Sequence, residues 1–390
     1  MTKNPQTYSG VVKLKLAGFP SGDPILNVFT RARIHPLLIG VIYILVVRLA
    51  QLFAAWRVGH LRTVGVTTGY FDDPTTYTAA IFGAAVVAYY AWIPRGILSV
   101  FKGLYDNGVI GSPIATDQKM NEKKQSERPF TDKVLTSFRG WWWPVISMLA
   151  ATAAMITLLL PRYRALGQSA WWTADTLNLI IVLLLHMLTA MYCAILLLIY
   201  SVLTIYWLGS LFSSFRIHIR PLYPDRAGGL APLGSFTLTT SYLIAILGMM
   251  FVVTPITRNY LENGTLQFLW TTELYIGLAT YIVAAPVVFF APLSVAHNHM
   301  KEEKNKLLQK IAQQFEAEYR NVHKALRRRP RTTSLENSLQ RLRKLQDLYD
   351  ITSKFPIWPF NAENLARFGT SFLLPILIPL TINFVNSLIH

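Results

Sequence analysis

The sequence predicts an all-α polytopic membrane protein of about seven transmembrane helices with an antiparallel helical hairpin on the cytoplasmic side. The first observation is a series of seven apolar stretches, each about as long as the roughly 20 residues that cross a bilayer as a helix. They run approximately over residues 36–56, 75–100, 141–160, 176–208, 236–256, 268–296 and 366–388. Only 15% of the 390 residues are charged, well below the proportion typical of a soluble domain.

The second observation is the distribution of basic residues around these stretches. Of the 37 Lys and Arg residues, 29 fall in the segments on one side and 5 in the loops on the other. By the positive-inside rule, we expect the N-terminus in the cytoplasm and the C-terminus outside. The net charge of +17 mostly reflects this asymmetry, so it is weak evidence for nucleic-acid binding.

Four regions follow in order along the chain. We expect a cytoplasmic N-terminal arm at 1–35, transmembrane helices 1 to 6 with their loops at 36–296, and a basic cytoplasmic hairpin at 297–355. An interfacial anchor and the seventh transmembrane helix complete the chain at 356–390. The hairpin is predicted because apolar residues recur at spacings of three and four in two series, on either side of Arg329-Pro330.

The predicted tip of the hairpin is the most basic point of the chain, with Arg327, Arg328, Arg329 and Arg331 within five residues. A projecting hairpin would offer these arginines to a nucleotide, an oligonucleotide or an acidic protein. A hairpin that lies flat would contact anionic lipids instead. A solvated turn with no ligand is the third interpretation.

The loop between the fourth and fifth spans contains the sequence Pro-Asp-Arg-Ala-Gly-Gly-Leu at 224–230. Pro-Asp and Gly-Gly favour tight turns, whose free amides can bind an anion. Arg220, Asp225 and Arg226 are therefore candidate ligand contacts. The alternative is a rigid elbow that packs the fourth span against the fifth.

Together with Phe-Pro-Ile-Trp-Pro-Phe at 355–360, this loop resembles sequences in uncharacterised bacterial multi-span membrane proteins. Some proteins of that kind are membrane effectors of anti-phage systems, which open leaks on a signal. The two strings together cover 13 of the 390 residues. It implies a protein of the bacterial inner membrane with a role in antiviral defence.

The cores of the apolar stretches contain no Asp or Glu, since Glu273 lies near the start of the sixth stretch; this argues against proton- or sodium-coupled transport and excludes an aspartyl protease. Neither a HExxH zinc motif nor a GxSxG nucleophile motif is present, so we expect no catalytic residue, metal or cofactor. Arg48 and His186 are the candidate pore or intramembrane polar residues. The alternatives are an Arg48 that extends to lipid phosphate and a His186 that bonds a neighbouring helix.

Two classes of function remain. The first is an oligomeric inner-membrane channel or leak-type effector, gated or assembled through the basic hairpin. The second is a non-conducting membrane scaffold, or a lipid-handling enzyme without a recognised motif. Both have membrane lipids as partners, and the first also requires other copies of the chain.

The topology can be tested by labelling single cysteines with a membrane-impermeant maleimide in intact cells. Ser126→Cys and Ser338→Cys should be labelled only after lysis, since both loops are expected in the cytoplasm, whereas His390→Cys should be labelled directly. The native Cys193 lies within the fourth span, so the parent chain gives the background. Protection of His390→Cys would mean an even number of crossings and would contradict the predicted topology.

Overall fold

The computed structural model describes residues 21–113, 130–166, 170–217, 223–225, 227–263, 272–327, 332–360 and 362–389. These residues are predominantly helical, which confirms the predicted all-α class. The α-helices are α1 (Pro24–Ala32), α2 (Pro36–Arg57), α3 (Pro74–Asp106), α4 (Phe130–Phe138), α5 (Trp142–Leu166), α6 (Thr176–Ile180), α7 (Thr189–Ser214), α8 (Ala231–Asn263), α9 (Thr272–Arg327), α10 (Thr332–Ser353) and α11 (Ala362–Ile389). A π-helix, Ile181–Leu188, joins α6 to α7, and two short strands, β1 (Ile110–Pro113) and β2 (Phe215–Ile217), pair antiparallel.

Six helices in the described part of the chain are long and apolar enough to cross a membrane, which makes this a polytopic membrane protein. They lie at Pro36–Arg57, Pro74–Asp106, Thr176–Ser214, Ala231–Met250, Gly277–Lys324 and Ala362–Ile382. The remaining predicted stretch, 141–160, falls in the 25-residue helix α5. Large apolar side chains such as Leu37, Val46 and Leu49 of α2 face outward, as expected of a surface in contact with lipid.

Two helices form the centre of the bundle. Helix α3 packs against α2, α7 and α8, and α8 packs in turn against α9 and α11. Small residues allow the closest approach: a Cβ at Gly40 of α2 would lie 2.7 Å from the Ala84 carbonyl oxygen of α3. Such contacts hold transmembrane helices together because no hydrophobic driving force acts between them in lipid.

The predicted hairpin is present and continues directly from the membrane-spanning part. Helix α9 is a single helix of 56 residues, with Pro286 and Pro292 inside it, and α10 packs along its charged half. Ile311 and Val322 of α9 and Leu342 of α10 are buried. The predicted turn lies outside the described residues, apart from Arg327 at the end of α9. The end of the bundle that carries this hairpin is called the hairpin end below, and the opposite end the far end.

Lys304 fastens the base of the hairpin. Its Nζ donates hydrogen bonds to the carbonyl oxygens of Ser353, at 2.6 Å, and of Phe355, at 2.9 Å. These carbonyls belong to the last turn of α10 and the residues just after it, where a cation also interacts favourably with the helix dipole. One partly buried side chain thus fixes the end of α10 against α9.

Lys304→Met should loosen the docking of α10 by about 1–2 kcal/mol, because two charge-assisted hydrogen bonds are lost while the aliphatic stem is kept. Amide hydrogen exchange in α10 should accelerate by roughly 5- to 30-fold. The control is Lys306→Met, since Lys306 is exposed and pairs with Glu303, at 2.7 Å, on the same helix. Equal exchange rates in the two variants would show that Lys304 does not fasten the hairpin.

Candidate functional site

The predicted polar residue His186 lies in the π-helix, which is an interruption at membrane depth of an otherwise regular helix. Its side chain is buried, and its ring stacks on Tyr43 of α2 with 6.5 Å between centroids and 21° between planes. The Tyr43 hydroxyl donates to the His186 carbonyl oxygen at 3.1 Å and lies 3.5 Å from His186 Nδ1. The π-helix therefore has a hydrogen-bonded partner on α2, as irregular helix within a bilayer requires.

Arg48 lies on the same helix as Tyr43, towards the far end. Its guanidinium carbon is 4.1 Å from the ring centroid of Tyr77 and 5.1 Å from that of Tyr70, within the range of cation–π attraction. Tyr43, which stacks on His186, precedes Arg48 by five residues on α2. The structure thus brings together the two intramembrane residues that the sequence selects.

The loop between α2 and α3 presents Tyr70 to Arg48. The amide and hydroxyl of Thr63 donate to Asp72 at 2.7 and 2.8 Å, and these hydrogen bonds hold the pKa of the Asp72 carboxyl below its usual value. The Tyr70 amide donates to the His60 carbonyl at 2.9 Å. These hydrogen bonds fix the loop backbone, so the position of Tyr70 does not depend on its contact with Arg48.

Two further polar side chains lie buried near this point. Gln51 is one helical turn beyond Arg48, and Asn178 is on α6, which packs against α2. The Asn178 amide group donates to the Trp171 carbonyl at 3.1 Å, but its Oδ1 has no hydrogen-bond partner within the described residues, and neither does Gln51 Oε1. We call Tyr43, Arg48, Gln51, Asn178 and His186 the polar seam.

The loop at 224–230 does not offer an open anion site in the described residues. Asp225 Oδ1 accepts from the amides of Ala227 and Gly229 at 2.9 and 3.0 Å, and its Oδ2 accepts from Ala231 at 3.2 Å. The Asp225 carboxylate thus already accepts from the backbone amides that an external anion would need. Asn107, which follows α3, donates to the Gly229 carbonyl at 2.8 Å, so the loop is fixed to α3 as an elbow. The predicted contacts Arg220 and Arg226 lie outside the described residues.

The structure describes one of the four arginines predicted at the hairpin tip. Arg327 is the last residue of α9, while Arg328, Arg329 and Arg331 lie outside the described residues. Helix α10 begins at Thr332.

A buried carboxylate that the sequence analysis did not select lies at the N-terminus of α1. Asp23 has no exposed surface; its Oδ1 accepts from the amides of Ile25 at 2.8 Å and Leu26 at 3.4 Å. Its Oδ2 accepts from the hydroxyl of Tyr192 of α7 at 2.7 Å and from that of Tyr90 of α3. Residues 21–32 of the expected cytoplasmic arm are therefore docked into the bundle.

Aromatic contacts join the hairpin base to the bundle. His299 of α9 stacks on Phe212 of α7 at 5.7 Å between centroids. His297 donates through Nδ1 to the Ile357 carbonyl at 2.7 Å and stacks on Trp358 at 4.1 Å. The Phe-Pro-Ile-Trp-Pro-Phe segment is thereby packed against α9 rather than free at its surface.

Asp23→Ala should lower the stability of the whole chain by about 3 kcal/mol or more, because two tyrosine hydroxyls and two helix amides lose their acceptor in a buried place. Thermal unfolding in detergent measures this loss. Asp175→Ala is the control, since Asp175 also caps a helix, α6, but its side chain is about a third exposed, so about 1 kcal/mol is expected. Equal losses in the two variants would contradict a central role for Asp23.

Comparison with protein-family models, with curated proteins and with solved structures finds no match to this chain.

Proposed function

We propose that this chain is an oligomeric channel or leak-type effector of the bacterial inner membrane, gated or assembled through its basic hairpin. Its N-terminus is then in the cytoplasm and its hairpin end faces the cytoplasm. The observation that carries the proposal is the continuity of α9: one helix forms both a membrane-spanning segment and half of the hairpin. Because Lys304 fastens α10 to the same helix, a force on the hairpin acts directly on the bundle.

A chain of contacts leads from the hairpin to the polar seam. His299 stacks on Phe212 near the end of α7, and α7 continues into the π-helix that holds His186. A π-helix turns into an α-helix by a change of hydrogen-bond register, which rotates the residues on one side relative to the other. Such a rotation would move His186 away from Tyr43 and admit water to the seam, which supports a gated path.

The charge of the hairpin supports an anionic signal. Residues 297–355 hold 14 Lys and Arg against 7 Asp and Glu, and no acid lies between Glu318 and Glu336. A multivalent anion at the four tip arginines would release counterions on binding. An oligonucleotide, a nucleotide or an acidic protein has the required charge, and antiviral defence is the role that a nucleic-acid signal would serve.

A non-conducting scaffold is the second candidate, and exposed apolar side chains on the hairpin favour it. Tyr319 and Leu326 of α9 are both more than half exposed, which suits contact with a protein partner. Such a protein would keep its spans sealed whatever binds to the hairpin. Measurement of flux therefore separates the two candidates.

The test uses the full chain in liposomes, with a small fluorescent dye and a single-stranded oligonucleotide of 12 nucleotides as the probe. We expect the oligonucleotide to change dye release. Replacing the four tip arginines, 327, 328, 329 and 331, by Gln should abolish the response without changing membrane insertion. Half-maximal response should need roughly 50-fold more oligonucleotide at 200 mM than at 50 mM salt, if four contacts each release about 0.7 of a counterion.

The matched control removes four exposed charges elsewhere on the hairpin, with Lys301, Lys310, Arg343 and Lys344 replaced by Gln. This variant has the same net charge as the tip variant and should keep most of the response. Absence of dye release in all conditions would favour the scaffold. Dye release that is the same with and without the oligonucleotide at 50 mM salt would support a channel but would contradict gating by an anion.

A further inference from the structure

Arg48 has an unmet hydrogen-bonding requirement that points to a ligand. Its Nη1 is buried and has no partner within the described residues, and no ion pair of Arg48 is found there. A guanidinium in an apolar bundle is costly unless a negative charge or several acceptors lie beside it. The two tyrosine rings cover the guanidinium, but cation–π attraction leaves the N–H groups at its edge unsatisfied.

Gln51 supplies the second, independent observation. Its side chain is only 2% exposed, and its Oε1 lacks a donor in the described part of the chain. Gln51 follows Arg48 by three residues, so both lie on one side of α2. A cationic donor and a neutral acceptor, both without a partner in the described residues, thus lie one turn apart on the same helix. A ligand that satisfies both needs an acceptor for Arg48 Nη1 and a donor for Gln51 Oε1, and a negatively charged oxygen also balances the buried charge of Arg48.

The position of these groups restricts the source of the ligand. Tyr77, at the start of α3, is 38% exposed, and Leu49 and Phe53 on α2 and Ile81 on α3 are exposed apolar side chains nearby in sequence. An anionic group at Arg48 therefore lies beside a surface that acyl chains can cover. The Arg48 guanidinium itself extends towards residues that begin α3, at the far end of the bundle.

We propose that Arg48 and Gln51 form a binding site for a hydroxyl-bearing phosphate, with the phosphate oxygen accepting from Arg48 Nη1 and the hydroxyl donating to Gln51 Oε1. The rings of Tyr70 and Tyr77 hold the guanidinium flat so that its edge meets the phosphate. The phosphoglycerol headgroup of an anionic phospholipid has this chemistry, and so does free hydrogen phosphate. The site does not depend on conduction by the protein.

The experiment measures binding to the full chain in detergent by native mass spectrometry and by the shift of the thermal unfolding temperature. The probes are phosphatidylglycerol, phosphatidylcholine of the same acyl length, and inorganic phosphate. Phosphatidylglycerol should bind the wild type best, and Arg48→Gln should weaken it roughly 10- to 100-fold, as expected for a lost charge-assisted hydrogen bond. Stabilisation by inorganic phosphate alone to the same extent would assign the site to free phosphate.

Arg57→Gln is the matched control, because Arg57 lies nine residues further along α2 and pairs with Asp175 in place of a ligand. It should bind phosphatidylglycerol like the wild type. Arg48→Lys, which keeps the charge but loses the planar edge, should bind with intermediate affinity and guards against misfolding of Arg48→Gln. Equal weakening in Arg48→Gln and Arg57→Gln, or binding of phosphatidylcholine as strong as that of phosphatidylglycerol, would overturn the proposal.

Discussion

The hydrogen bonds to Asp23 hold together three parts of the chain that are far apart in sequence. The carboxylate caps the start of α1, and the two hydroxyls that donate hydrogen bonds to it belong to Tyr90 of α3 and Tyr192 of α7. In an apolar bundle a carboxylate persists only where donors surround it, so this arrangement fixes all three helices at once. Ser21 adds a further link, since its hydroxyl is 2.8 Å from that of Tyr200 on α7. The packing of α7 against α9, and with it the contact of Phe212 with His299, depends on α7 being held in this position.

Buried polar groups elsewhere in the chain have the same need for hydrogen-bond partners. Where a carboxylate has donors from the chain itself, as Asp225 has in the elbow before α8, the local backbone is fixed and no ligand is needed. Arg48 Nη1 and Gln51 Oε1 have no such partner within the described residues, and the proposed phosphate site rests on this difference. We therefore interpret the Asp225 loop as a structural turn and the Arg48–Gln51 pair as a candidate site.

Much of the fold is readable from the sequence, because apolar length and periodicity depend on neighbouring residues alone. The membrane-spanning helices and the hairpin follow from those patterns, and Arg48 and His186 are conspicuous because they are polar in apolar stretches. Asp23 could not be selected in this way. Asp-Pro at positions 23 and 24 is a recognisable helix start, but the tyrosines that bury it are 67 and 169 residues away. The π-helix is equally hidden, since Ile181–Leu188 has the composition of any transmembrane helix.

The length of α9 also determines which charges can reach the hairpin tip. From His297 to Arg327 the helix rises about 45 Å at 1.5 Å per residue. Electrostatic attraction decays over about 8 Å at physiological salt, so more than five decay lengths separate the two ends. The two ends of this half of α9 are therefore electrostatically independent of each other. A charge that binds beside His297 would therefore have no direct electrostatic effect at the end of α9.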